Sequence, residues 1–207
     1  MTYPAPTINI DSVRQQARKN IELGAVTSSY TADRPVVLKM LNESLATEIV
    51  CVLRYRRHHF MARGIQAQSV ASEFLVHSNE ELGHADLLAT RILQLGGEPD
   101  FSPETLLARS HAEYIEGKSL GDMITENLIA ERIAIDSYRN FISYLRDQDP
   151  TTRRMLEGIL ATEEEHADDL ADILLKLPAT PEAAAPADAG SAVKVAAPIK
   201  LIKKDAS

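Results

Sequence analysis

Apolar residues recur every three or four positions in four long segments of the chain, at about 33–63, 66–95, 119–147 and 149–177. This spacing places the apolar side chains of each segment on one face of an α-helix. Runs with the two-residue alternation typical of strands are absent from the sequence. The pattern therefore predicts an all-α protein built from four long helices.

Local signals mark the ends of these helices. Asp33 and Asp149 are each followed within two residues by a proline suited to the first turn of a helix. Ser119 and Asp122 form a capping-box pattern at the start of the third segment. Gly96 can adopt the left-handed conformation that ends the second segment. These signals predict the same four helices as the apolar pattern.

The lengths of the connections predict how the helices are arranged. At about 1.5 Å per residue each helix is roughly 40 Å long, so the short loops at 63–66 and 147–150 form antiparallel hairpins. Residues 96–118 are long enough to travel the length of a bundle and to carry one short helix. The second and third helices can then run parallel, which gives a four-helix bundle with one long crossover.

The motif Glu-x-x-His-Ala-Asp occurs in both the second and the fourth segment. It supplies Glu81 with His84, and Glu163 with His166. Residues three apart on a helix lie on neighbouring turns of one face, so each motif presents a carboxylate and an imidazole together. This arrangement is typical of paired metal ligands.

The other two helices each carry an isolated acid inside an apolar run. Glu48 lies in SLATEIVCVL and Glu131 in NLIAERIAI. Glu48 precedes Glu81 by 33 residues, and Glu131 precedes Glu163 by 32. A single acid on a helix is usually a solvated surface residue. The coincidence of six residues instead favours two helical hairpins that share one metal site.

Charge and donor type indicate which metal would bind. Four carboxylates in a bundle core would repel one another and would be desolvated, at several kcal/mol per uncompensated ion. Two divalent cations cancel the four charges. Oxygen and imidazole donors without a thiolate favour iron or manganese over structural zinc. We expect two iron ions per subunit, with manganese as the alternative.

Further residues near the predicted ligands have more than one interpretation. Tyr55 and Tyr138 each follow the lone Glu of their helix by seven residues and share its face. They are core aromatics, hydrogen-bond donors to the ligands or, at Tyr55, a redox-active group.

Asn127 either orients a ligand or is an ordinary polar residue. Segment 54–60, RYRRHHF, is expected to be a mostly solvated or interface face. The remaining nearby histidines and acids are expected to be ordinary histidines and surface or cavity-lining acids: His58, His59, His77, Glu80, Glu164 and Glu165.

Over about residues 35–177 the sequence resembles bacterioferritins, which are members of the ferritin-like superfamily. The resemblance rests on LATEIVCVLRY, EELGHADLLATRILQLGGEP, LIAERIAIDSY and EEEHADDLADILL, which match the four helices of the family. It implies a ferroxidase that oxidises Fe(II) with O2 or H2O2, for iron storage and detoxification inside a homo-oligomeric shell. Tyr55 matches the family's Tyr beside the di-iron site. The resemblance implies Glu48 and Glu131 as terminal ligands, Glu81 and Glu163 as bridging carboxylates, and His84 and His166 as imidazole ligands.

Three features of the chain differ from bacterioferritins. Leu82 stands where the haem-binding Met of the family follows the second-helix Glu, so haem is not expected. PATPEAAAPADAG is an Ala/Pro linker in place of the fifth helix of twenty-four-subunit shells. The crossover sequence SPETLLARS resembles the small extra helix of Dps-type mini-ferritins, which form twelve-subunit shells. A twelve-subunit shell is therefore favoured over one of twenty-four.

Length and cysteine content bound the organisation of the chain. The 207 residues fit one domain with tails. We expect an N-terminal extension with a short helix at 1–32, the ferritin-like bundle at 33–177, and a flexible, disordered Ala/Pro-rich tail at 178–207. The single cysteine, Cys51, excludes an intramolecular disulfide, a thiolate zinc site and the four-cysteine iron domain of rubrerythrins. It fits a cytoplasmic protein, and no stretch is apolar and long enough to span a membrane.

Charge leaves two alternatives open. The net charge of −8 argues against a broad nucleic-acid-binding surface. Residues 178–207 carry four Lys against three acids, so this tail is +1 and the remaining chain −9. DNA binding through the tails is therefore one alternative, as in a Dps-like protein that protects DNA from peroxide. A manganese catalase-like enzyme is the other, because it would use a similar core of carboxylates and histidines.

Overall fold

The computed structural model of the chain describes residues 8–64 and 67–177. Within these residues the chain forms six α-helices, a 3-10 turn at Ile21–Leu23 and no strand. No helix in this part of the chain has the length and apolar character that crossing a membrane requires. The prediction of an all-α fold is confirmed. The helices are α1 Ile10–Gln16, α2 Arg34–Met61, α3 Gln68–Gln94, α4 Leu106–Arg109, α5 Leu120–Leu145 and α6 Pro150–Lys176.

Side-chain caps start three of the four long helices. Asp33 accepts a backbone N–H of the first turn of α2 at 3.3 Å. Ser119 and Asp122 each accept the backbone N–H of the other and form the capping box of α5. Asp149 accepts a backbone N–H of the first turn of α6 at 2.9 Å. These bonds satisfy N–H groups that every helix start leaves unpaired, and they confirm the predicted starts.

The long helices pack as two hairpins, α2 with α3 and α5 with α6. Two hydrogen bonds across the bundle define the direction of α2 against α5. Tyr55 of α2 donates to Glu131 of α5, whereas Tyr138 of α5 donates to Glu48 of α2. Residue numbers therefore rise along α2 as they fall along α5, and these two helices are antiparallel. Since α3 folds back along α2, α3 and α5 run parallel, as the length of the crossover predicts.

The crossover at 95–119 carries the short helix α4 and packs against α2. Arg109 fixes it there by donating from Nη1 to the carbonyl of Asn42 at 3.0 Å and from Nη2 to the carbonyl of Asp100 at 2.9 Å. The crossover therefore joins the two hairpins while contacting the bundle along its length.

Two apolar clusters fill the bundle, one on each side of a polar layer. The first packs around Leu41 and Phe141, and the second around Phe74 and Ile124. Each fully buried Leu, Ile or Phe stabilises the fold by roughly 1.5–3 kcal/mol. The layer between the clusters holds buried carboxylates and imidazoles from all four long helices. Packing on both sides thus offsets the cost of burying these polar groups.

The segment before α2 contacts the second hairpin. Tyr30 donates from its hydroxyl to Asp149 at the start of α6, at 3.1 Å. The predicted tail at 178–207 lies outside the described residues, as do residues 1–7 of the predicted N-terminal extension.

Candidate metal centre

All six predicted metal ligands meet in the polar layer at the middle of the bundle. Helices α2 and α5 each supply one carboxylate, and α3 and α6 each supply a carboxylate and an imidazole. Every one of the six side chains is buried. Their exposed fractions are 1% for Glu48, 1% for Glu81, 7% for His84, 0% for Glu131, 1% for Glu163 and 2% for His166.

The six residues form two groups that share two members. In the first group, ligand atoms of Glu48, Glu81, His84 and Glu163 all lie within 4.8 Å of one another. In the second, the same holds for Glu81, Glu131, Glu163 and His166. Only the motif carboxylates Glu81 and Glu163 belong to both. This arrangement offers two adjacent four-ligand positions with two carboxylates placed between them.

The first group is compact around the imidazole of His84. Its Nδ1 lies 2.9 Å from Glu163 Oε1, 3.2 Å from Glu81 Oε2 and 3.5 Å from Glu48 Oε2. This nitrogen therefore faces one carboxylate from each of three helices. Its lone pair can bind the same cation that those carboxylates bind.

The second group surrounds His166 at longer distances. Its Nδ1 lies 3.7 Å from Glu81 Oε1, 3.9 Å from Glu163 Oε2 and 4.0 Å from Glu131 Oε2. Its other ring nitrogen, Nε2, lies 2.9 Å from Glu80 Oε2. When Nε2–H donates to Glu80, the lone pair resides on Nδ1 and points into the centre. A metal-binding histidine is usually oriented by a carboxylate that accepts the N–H of its other ring nitrogen.

Unpaired buried atoms show that the centre suits a cation. Among the described residues, the buried atoms without a hydrogen-bond partner include Glu81 Oε1, Glu131 Oε2, Glu163 Oε1 and His166 Nδ1. An unpaired buried acceptor costs about 1–3 kcal/mol, and more when it is charged. Three of these atoms are carboxylate oxygens, and the fourth is a ring nitrogen that becomes an acceptor once it loses its proton. All four converge on the two groups, so divalent cations would satisfy them together. The donor set therefore fits the pair of metal ions that the sequence predicts.

The electrostatics of the centre favour bound protons when no cation is present. Burial, followed by the charge of Glu81, raises the pKa of Glu48 to about 8. Burial acts to lower the pKa of both imidazoles, but the neighbouring carboxylates outweigh it, and the pKa rises to about 10 for His84 and about 9 for His166. Burial likewise acts to raise the pKa of Glu81, but bonds from the two imidazoles hold it below its usual range.

Two tyrosines orient the carboxylates that belong to only one group. The Tyr55 hydroxyl donates to Glu131, and the Tyr138 hydroxyl donates to Glu48. Both tyrosines are buried. The sequence places each tyrosine on the face of the lone Glu of its own helix, but each donates to the lone Glu of the opposite helix. The two bonds tie α2 to α5 across the centre.

Segment 54–60, expected to be a mostly solvated or interface face, contributes buried groups near the centre. Arg54 is 1% exposed. It donates from Nε to Asn127 Oδ1 at 2.8 Å and from Nη1 to the carbonyl of Glu113 at 2.8 Å. Asn127 therefore orients Arg54 rather than a predicted ligand. The signal for burial was helical spacing, because Arg54 and Cys51 lie three residues apart on a face that also carries Glu48.

Two residues expected to be ordinary contact His166 directly. His77 is 1% exposed and stacks on His166 with ring centroids 4.0 Å apart. Its Nδ1 lies 3.3 Å from the Tyr55 hydroxyl. Glu80, which is half-exposed, accepts from His166 as described above. The sequence signal was their position along the helix. His77 lies one turn before Glu81, and Glu80 lies one residue before it.

Comparison with known proteins identifies the fold family. Residues 38–180 match the Ferritin family, described as a ferritin-like domain. The bacterioferritin of Mycobacterium avium is 31% identical over 137 residues, which cover 66% of this chain and 82% of the relative.

Solved structures give the same assignment. A bacterioferritin-related protein of Bacteroides fragilis, described as a dodecameric thioferritin, is 30% identical with a TM-score of 0.67, over 69% of this chain and 86% of that one. The Dps of Thermosynechococcus elongatus is 21% identical with a TM-score of 0.65, over 73% and 96%, a likeness of fold. With the family match over most of its length, the chain belongs to the ferritin-like family.

Proposed function

We propose that this protein is a ferroxidase that oxidises Fe(II) to Fe(III) and passes the product into iron storage. One observation carries the proposal: Glu81 and Glu163 belong to two adjacent four-ligand groups that together contain four carboxylates and two imidazoles. The bacterioferritin relatives support an iron-handling role. Two Fe(II) ions bound there would supply the two electrons that reduce O2 to H2O2, or H2O2 to water.

The six predicted ligands have distinct roles in this proposal. Glu48 and His84 hold one ion, Glu131 and His166 hold the other, and Glu81 and Glu163 contact both. Four carboxylates balance the charge of two Fe(II) ions, so the loaded centre is close to neutral inside the bundle. Hard oxygen donors also stabilise Fe(III), which lets the same residues retain the ions after oxidation.

Other residues of the chain act on the ligands. Tyr55 and Tyr138 hold the carboxylates of Glu131 and Glu48 in place, and Glu80 holds the imidazole of His166. The apolar clusters on both sides limit access of water to the centre. Tyr55 also lies close enough to Glu131 to be the redox-active tyrosine that the resemblance implies.

We also propose a homo-oligomeric shell, with twelve subunits favoured. The bacterioferritin-related protein of Bacteroides fragilis is described as dodecameric, which supports this number. The single cysteine fits a protein of the cytoplasm. Storage of product iron requires the shell, whereas oxidation requires only the centre of each subunit.

Metal analysis and aerobic Fe(II) oxidation test the function together. The purified protein is expected to bind two iron ions per chain and to oxidise added Fe(II) faster than buffer alone, with O2 or H2O2 as the consumed oxidant. Tight binding of manganese with rapid H2O2 disproportionation and no Fe(II) oxidation would instead identify a manganese catalase-like enzyme. Slow, uncatalysed Fe(II) oxidation would contradict the proposal.

A further inference from the structure

A second cluster of metal-ligating side chains lies between α3 and α6, next to the proposed centre. Ligand atoms of Glu73, His77 and Asp169 lie within 4.8 Å of one another. None of these three residues belongs to the six ligands of the centre. His77 is buried, Glu73 half-buried and Asp169 exposed, so the cluster connects the interior of the bundle to its surface.

The orientation of the His77 ring turns Nδ1 toward Tyr55 and Nε2 toward this cluster. The Tyr55 hydroxyl uses its proton to donate to Glu131. When it does so, the 3.3 Å contact between His77 and Tyr55 is a hydrogen bond from Nδ1–H of the imidazole to the Tyr55 oxygen. The other nitrogen, Nε2, then carries a lone pair, and it lies 3.4 Å from Glu73 Oε1. Two acceptors that face each other repel, and a cation between them removes the repulsion.

His77 has the form in which histidine binds metals. A ligating imidazole donates one ring N–H to a neighbouring group and presents the other nitrogen to the ion. The stacking of His77 on His166, at 4.0 Å and an interplanar angle of 18°, fixes the direction of the ring. A buried imidazole whose Nε2 lies 3.4 Å from one carboxylate, in a group that includes a second, distinguishes this cluster from an ordinary group of surface acids.

The charge around the cluster is not compensated by any Lys or Arg of the described residues. Among residues 8–64 and 67–177, no Lys or Arg pairs with Glu73, Glu80 or Asp169. Acids elsewhere on the same helices differ, since Glu164 pairs with Arg139 at 2.6 Å. Glu80 has His166 as its partner, whereas the negative charge at Glu73 and Asp169 attracts cations to this part of the surface.

The cluster is continuous with the proposed centre. His77, Glu80 and His166 form a further group whose ligand atoms lie within 4.8 Å of one another. This group shares His77 with the outer cluster and His166 with the centre. The outer cluster and the centre are therefore linked through side chains that belong to neighbouring groups.

We propose that Glu73, His77 and Asp169 form a third cation site, which binds a divalent transition metal such as Fe(II). The site is defined by its own residues and needs no ion in the centre. Its role as a waiting position for iron that enters the centre rests on the proposed function. Oxygen and imidazole donors without thiolate make Fe(II), Mn(II) and Co(II) suitable occupants.

Anomalous diffraction with Co(II) tests the site, because this probe is not oxidised by air as Fe(II) is. Crystals of the full-length protein soaked in Co(II) are expected to show three positions per chain, two in the centre and one among Glu73, His77 and Asp169. The double variant Glu73→Gln, Asp169→Asn is expected to lose the outer position and keep both central ones. The matched control is Glu165→Gln, Asp168→Asn, which removes the same charge from exposed positions that belong to neither site.

Titration of Co(II) gives a second readout in solution. Loss of two of three ligands is expected to weaken the outer site at least about tenfold, while the control variant titrates as the wild type does. Filled central positions without the outer one in the wild type would overturn the inference and leave the proposed function intact. A filled outer position with an empty centre would support the inference and contradict the proposed function. Equal loss of the outer position in both double variants would also overturn the inference, since only general surface charge would then be at work.

Discussion

Among single residues, Glu163 is one whose substitution is expected to affect Fe(II) oxidation without weakening the fold. Its carboxylate belongs to both four-ligand groups, and burial together with the charges of Glu81 and Glu48 raises its pKa. Glu163→Gln is expected to lower the initial rate of Fe(II) oxidation at least about 100-fold. Because it replaces a buried acid whose charge the surroundings disfavour by a neutral group of similar shape, it is also expected to preserve or increase the unfolding free energy of the metal-free protein. Stopped-flow oxidation and urea denaturation measure the two effects.

Glu165→Gln provides the control for this variant. Glu165 lies two residues further along α6 but is exposed and belongs to no candidate metal group. Its substitution is expected to leave both the oxidation rate and the stability unchanged. If Glu163→Gln oxidised Fe(II) at nearly the wild-type rate, Glu163 could not contact both ions.

Protons held by the centre predict that metal binding depends on pH. The raised pKa values of Glu48, His84 and His166, at about 8, 10 and 9, mean that these groups carry protons at neutral pH when no metal is bound. A cation must displace them. Addition of Co(II) to weakly buffered protein is therefore expected to release protons, and affinity is expected to fall as pH is lowered. Binding without proton release, and with constant affinity from pH 8 to 6, would contradict this account.

The predicted metal ligands were easier to identify from the sequence than the buried residues that lie near them. Glu48 and Glu131 were visible because acids are unusual within apolar runs, and the doubled motif supplied the rest. The positions of Arg54 and His77 depend on partners far away in the chain, such as Asn127 and His166. Such partners are not evident from local pattern, so Arg54 was expected on a solvated or interface face and His77 was expected to be an ordinary histidine.

At the scale of secondary structure elements, the start of α6 depends on one buried ion pair. Asp149 caps α6, and its carboxylate accepts from Arg91 Nη2 at 2.9 Å and 3.1 Å. Asp149→Asn leaves Arg91 buried without its counter-charge. The unfolding free energy is expected to fall by about 3 kcal/mol, as measured by urea denaturation. The control Asp147→Asn, whose side chain is 99% exposed, is expected to change it by less than about 0.5 kcal/mol.

The same ion pair predicts a pH dependence of stability. Burial alone would raise the pKa of Asp149, but bonds from Thr152 and Arg91 outweigh burial and hold the pKa below its usual value. A depressed folded-state pKa stabilises the protein fully above the unfolded value of about 3.9, and this contribution is lost as pH falls through the folded-state pKa. The stability difference between wild type and Asp149→Asn is expected to be constant from about pH 5 to 8 and to shrink below about pH 4. A difference that grew on acidification would contradict the assignment.

Helix boundaries were predictable wherever a side-chain cap defines them. The predicted starts at Asp33, Ser119 and Asp149 agree with the caps of α2, α5 and α6. Helix α3 has no side-chain cap at its start, and there the apolar pattern gave the start only to within two residues. The short helix in the crossover was expected, but its four residues are too few for a periodic pattern to set its limits.

At the scale of the whole molecule, the subunit count and the tail remain predictions. A closed homo-oligomer of twelve is expected, and residues 178–207 are expected to be dispensable for it, because an Ala/Pro-rich segment buries too little apolar surface to repay its ordering entropy. Light-scattering mass of the full-length protein and of a chain ending at Leu177 tests both statements. A monomer or dimer at micromolar concentration would contradict the shell, and twenty-four subunits would contradict the count. Disassembly on truncation would give the tail a structural role.

The central claim is that six side chains from four helices hold two iron ions side by side. The most direct measurement is the anomalous scattering of iron in crystals of the full-length protein soaked in Fe(II) without oxygen. Two central iron positions per chain are expected, both in contact with Glu81 and Glu163. One is also in contact with Glu48 and His84, and the other with Glu131 and His166. A single central ion, no central ion, or ligand side chains that point away from one another would contradict it.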